Sequence, residues 1–85
     1  MDITDAVIDN ANKFLHKMRD NPRPDERKFL TLLSEVGELA DSMKGKHHHP
    51  KEVELIQIAG ICINWLRTMG DFDLESASRI ANHEE

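Results

Sequence analysis

Glu35 and Glu38 stand three positions apart, so on a helix their carboxylates project from one face. Glu54, Gln57 and Asn64 follow at i, i+3 and i+10, which puts them on one face of a second helix. Two helices joined by a short loop run antiparallel, so Glu35 and Glu38 are expected to face Glu54 and Gln57. Carboxylates that close repel one another unless a cation sits between them. Three carboxylates and an amide oxygen form a hard donor set suited to Mg²⁺ or Mn²⁺ rather than zinc. A Glu-x-x-Glu pair by itself is common on solvated helices; this one faces a second polar pair across apolar surfaces. Gly37 lies between the two acids. Inside a helix it costs about 1 kcal/mol relative to Ala, and it leaves room for a partner helix or a ligand.

Four helices are needed to position these groups, and no segment alternates with the period of a strand. Ile3, Val7, Ala11, Phe14 and Met18 recur at three- and four-residue steps, which predicts a helix over about 3–19, capped by Asp2 or Thr4. The stretch from Asp20 to Pro24, with Asn21, Pro22 and Arg23 between, ends it. A second helix over about 25–44 opens on Asp25 and Glu26, which suit the positive end of its dipole. A third runs over about 51–69, from Pro50 to Gly70. A fourth, over about 74–83, is capped by Asp73 and is expected to turn Leu74, Ala77, Ile80 and Ala81 inward. Met18, Met43 and Met69 are expected to fill gaps in the core, and His16 to lie at the surface.

The third helix is apolar almost all round, with Val53, Leu55, Ile56, Ile58, Ala59, Ile61, Cys62, Ile63, Trp65 and Leu66. Such a helix must be buried all round. Three other helices in a chain of 85 residues do not easily surround it. The expected architecture is therefore all-α: one domain over 1–85, an antiparallel helical bundle completed by homodimerisation or by a dimer of dimers. Cys62 is the only cysteine and is expected to behave as a small buried hydrophobe. It excludes an internal disulfide and favours a reducing, cytoplasmic setting.

Eleven Lys and Arg against 16 Asp and Glu give a net charge of −5. That balance argues against a nucleic-acid polymer and against anionic membranes as partners. The start, Met-Asp-Ile-Thr-Asp, carries neither a basic region nor an apolar run, so no signal peptide is expected.

The run Leu33-Ser34-Glu35-Val36-Gly37-Glu38-Leu39-Ala40, followed by Glu54-Leu55-Ile56-Gln57, resembles the MazG-like all-α nucleoside triphosphate pyrophosphohydrolases. Their pattern is Glu-Glu-x-x-Glu, a spacer, then Glu-x-x-Asp. Glu35, Glu38 and Glu54 match its metal-binding carboxylates. Ser34 stands where the first Glu falls, and Gln57 where the family has Asp. The resemblance covers about residues 25–70. It implies a bundle that dimerises, a requirement for Mg²⁺ (or Mn²⁺), and hydrolysis of a nucleoside triphosphate to monophosphate and pyrophosphate.

On that reading Glu35, Glu38, Glu54 and Gln57 hold metal, and Glu35 or Glu38 accepts the proton of the attacking water. Asn64 contacts phosphate, sugar or base, or else joins two helices. Lys44 and Lys46 close over phosphates, or else lie in a solvated loop with His47, His48 and His49. Three adjacent histidines rarely present their nitrogens tetrahedrally to one zinc ion. The alternative to an enzyme is a helical dimer that retains a weakened nucleotide or metal site, or serves only as an interaction module.

Overall fold

The computed structural model describes residues 1–20, 23–46, 48–70 and 72–83, apart from the side chain of Met18. The expectations placed on Asn21, Pro22, His47 and the Met18 side chain lie outside the described residues. The chain is all-helical, and the described residues contain no strand. No helix among them is long and apolar enough to cross a membrane.

Helix α1 spans Ile3–Asp20, α2 Asp25–Met43, α3 Lys51–Thr68 and α4 Leu74–Ala81. Their ends follow from local chemistry. Asp2 Oδ1 accepts the Asp5 backbone N–H at 2.8 Å, and Asp73 Oδ1 accepts that of Ser76 at 3.1 Å. These bonds satisfy amides that have no partner in the first turn of a helix. Pro24 and Pro50, both extended, precede α2 and α3. The end of α2 closes as a Schellman motif: Lys46 N–H donates to Asp41 O and Gly45 N–H to Ser42 O. Gly45 takes the left-handed conformation this needs, at φ 72°.

Helix α3 is the central rod. Among the described residues, helices α1 and α2 each pack on it and not closely on one another, which leaves a groove between them floored by α3. Asn10, Ala11 and Asn12 of α1 meet Gly60, Asn64 and Arg67 of α3. A Cβ on Gly60 would run into the Asn10 side chain, with the Ala11 backbone nitrogen 3.4 Å away. Asn64 Nδ2 donates to Ala11 O at 2.7 Å, and Arg67 Nη1 to Asn12 Oδ1 at 2.8 Å. The close approach of helices expected at Gly37 is thus found at Gly60, while Gly37 faces open space.

Burial runs against side-chain polarity. On α3 the buried residues are Glu54, Gly60 and Asn64, whereas Leu55 and Leu66 are half-exposed. Among the described residues Ala11 is the one fully buried apolar side chain. Several expectations are corrected accordingly. Cys62 is exposed on the outer side of α3. Met43 and Met69 are exposed rather than core fillers. Helix α4 touches none of the other helices, and Leu74 and Ile80 point to solvent rather than inward. The physical reason is that α1 and α2 pack on one side of α3 and leave its outer side uncovered, while α4 packs closely on none of the three.

Candidate metal centre

Helices α2 and α3 run antiparallel from the tight turn at Gly45, and this brings Glu35 and Glu38 opposite Glu54. One carboxylate oxygen from each lies within 4.8 Å of the others. Glu54 is 1% exposed, and Glu35 and Glu38 are half-buried. With its nitrogen turned toward the acids, the Gln57 amide donates to Glu35 Oε2 and Glu54 Oε2, at 3.1 Å each. The four residues expected to form one site do converge.

Charge in this cluster is under strain. Burial pushes the Glu35 carboxyl up from 4.5 to about 7, and repulsion from Glu38 and Glu54, with shared hydrogen bonds to both, adds to the shift. His49 Nδ1 lies 3.4 Å from Glu54 Oε1. The loop holds that ring in place, because Ser42 Oγ donates to the His49 carbonyl at 2.8 Å and the His48 ring lies 4.0 Å from it. Imidazole offsets the carboxylate charge only when protonated. The donor set is all oxygen apart from that flanking nitrogen, and it fits a hard divalent cation.

Glu35 and Gln57 also line one end of the groove, a cavity of about 250 Å³. Asn64 lines it too, although its amide is committed to the Ala11 carbonyl. Lys44 and Lys46 are exposed beyond the end of α2 and do not line the groove. The cations that do are Lys17, Arg23 and Lys28, none of which the sequence reading singled out. A signal existed. Lys28, Thr31 and Glu35 stand at i, i+3 and i+7 on α2, and Asn10, Phe14 and Lys17 at i, i+4 and i+7 on α1. Each set is a stripe, and the one on α2 leads to an acid of the cluster.

Trp65, expected in a core or interface, is half-buried and donates from Nε1 to Asp25 Oδ1 at 3.1 Å. No protein-family model, curated protein or solved structure matches this chain, so the reading of the site rests on its own geometry.

Proposed function

We propose that the protein is a Mg²⁺- or Mn²⁺-dependent nucleoside triphosphate pyrophosphohydrolase that works as a homodimer or a dimer of dimers. The observation that carries this reading is the convergence of Glu35, Glu38 and Glu54, with Glu35 also lining a groove. Glu35, Glu38 and Glu54 would hold the cation, with the Gln57 amide turned over to offer its oxygen. The cation supplies Lewis acidity to the phosphate oxygens and to the attacking water. Glu35 or Glu38, whichever the cation leaves uncommitted, would accept the proton of that water, and Glu35 is the one that also lines the groove. His49 steadies Glu54 from the side away from Gln57. The exposed Cys62 suits a reducing, cytoplasmic setting.

Surface area supports self-association. The single chain exposes 6566 Å². A compact chain of 9.8 kDa exposes about 5,200 Å². The excess exceeds the roughly 800 Å² that each partner buries in a standard interface. The radius of gyration, 14.2 Å, is also larger than the approximately 12 Å of a compact chain this long. Phe29, Leu33, Val36 and Met43 form an exposed stripe on α2, next to Leu55 and Leu66 on α3. A second copy laid on that face would complete a bundle.

One observation favours a second reading, a weakened or inactive site in a binding or interaction module. The Gln57 amide bridges Glu35 and Glu54 and does part of a cation's work without one. The test incubates the protein with each common NTP and dNTP plus Mg²⁺ or Mn²⁺ and measures pyrophosphate, for wild type and Glu38→Gln. Release that Glu38→Gln abolishes supports the enzyme. No release from any nucleotide, with Mn²⁺ still bound, selects the module. Release unchanged by Glu38→Gln removes the mechanism.

A further inference from the structure

The groove has two chemically different ends. Glu35 and Gln57 stand at one, and Lys17, Arg23 and Lys28 bring three positive charges to the other. In a chain of net charge −5, Glu35 is the single acid among the described residues that line it. A groove so lined concentrates anions against the field of the whole protein.

Lys28 is the most committed of the three. Its side chain is only 10% exposed, and Nζ donates to Thr68 Oγ1 at 3.1 Å. Its nearest acid, Asp25, lies 4.0 Å away, is 70% exposed and also accepts the Trp65 N–H. That carboxylate is shared and largely hydrated, so it offsets the buried ammonium weakly.

Position decides what these cations can hold. Lys28 precedes Glu35 by seven residues, about 10 Å along α2. Its Nζ reaches away from the acids to Thr68, which lies eleven residues beyond Gln57, about 16 Å along α3. The tail of a triphosphate anchored at the acids ends well short of that point. A nucleoside fits between, where the Phe14 ring forms one wall with Lys17 Nζ 5.3 Å from its centroid.

We propose that the groove takes a nucleotide carrying a second anionic group at its nucleoside end, which Lys28 holds with Lys17 and Arg23 beside it. This rests on the reading of Glu35, Glu38 and Glu54 as the site for the polyphosphate and its cation. A phosphate on the sugar and a carboxylate on the base share the required chemistry.

Trp65 is the only tryptophan, and Asp25 links it to Lys28, so its fluorescence reports occupancy of the cationic end. Two pairs of probes are titrated with Mg²⁺ present: adenosine 3′-phosphate 5′-triphosphate against ATP, and 5-carboxy-dCTP against dCTP. In at least one pair the doubly anionic probe binds about tenfold tighter. Which pair shows it identifies the anion. Lys28→Gln, folded by circular dichroism, erases the difference, and Lys28→Arg retains it. Equal affinities within both pairs, or a difference that survives Lys28→Gln, overturn the proposal. Pyrophosphate is measured in parallel. Release from ATP without a binding preference defeats this inference alone, whereas a preference without release from any probe defeats the hydrolase reading alone.

Discussion

The inner and outer faces of α3 carry opposite mismatches. The inner face buries Glu54 and Asn64, which are 1% and 2% exposed. The outer face leaves Leu55 and Leu66 at 50% and 46%. In water alone both arrangements are unfavourable, since buried charge and exposed hydrocarbon each raise the free energy. The inner face resolves part of its mismatch within the chain: Asn64 bonds the Ala11 carbonyl, and Gln57 spans two acids. The outer face resolves nothing within the chain. The difference teaches that polar groups on a helix are satisfied one bond at a time, whereas an apolar stripe needs a whole surface. On the readings proposed above, the inner face awaits an ion and the outer face a second chain.

The largest expected effect is therefore on the outer face. Leu55→Glu removes burial worth about 1.5–3 kcal/mol in each copy and places a charge in the seam. Light scattering should show the mass of one chain, with a lower melting temperature. A wild type that already weighs one chain sinks the dimer.

On the inner face, Glu54→Gln should move two quantities in opposite directions. Mn²⁺ binding weakens about tenfold or more, and pyrophosphate release falls further. The metal-free protein gains about 1 kcal/mol in denaturant titration, because one of three crowded charges is gone. A Glu54 that served only as an ion-pair partner of His49 would lose stability instead.

The two faces were not equally legible in the sequence. Glu35, Glu38, Glu54 and Gln57 could be placed together because helical period and a short loop are local properties. The apolar excess of α3 was legible for the same reason. The groove was not, because it depends on where α1 lands, and that is decided by shape at Gly60. Gly37 and Gly60 are both glycines within apolar helices, and nothing local says which one another helix will cover. Leu74 and Ile80 form a clear stripe, yet no helix of the chain lies against it. Periodicity identifies an apolar face without identifying what covers it.

A smaller pair of substitutions separates covered from open positions. Gly60→Ala sets a Cβ into the Asn10 side chain and near the Ala11 backbone. Its packing cost of about 1–3 kcal/mol outweighs the gain in helix propensity. Gly37→Ala meets nothing within 4 Å. It should stabilise by about 0.5–1 kcal/mol. Denaturant midpoints for the two variants should move in opposite directions; if both rise, the Asn10 side chain turns aside and makes room for the methyl group.

The smallest expected effect concerns protons, and it tests whether the inner face is set for a cation. The Glu35 carboxyl is raised from 4.5 to about 7 by burial first and by Glu38 and Glu54 next. A raised carboxyl means that the folded state binds more protons than the unfolded chain. Glu35 therefore makes the metal-free protein lose stability as pH rises from 4.5 through about 7. A cation competes with that proton, so Mn²⁺ affinity should fall as pH drops below about 7, and binding near pH 6 should release protons. Glu35→Gln should flatten the metal-free melting profile across this window. Gln57→Asp should steepen it, since a donor that bridges Glu35 and Glu54 becomes a fourth negative charge, and it should tighten Mn²⁺ about tenfold. A Gln57→Asp protein that binds Mn²⁺ no better than wild type would mean that the amide braces α2 against α3 and has no part in holding an ion.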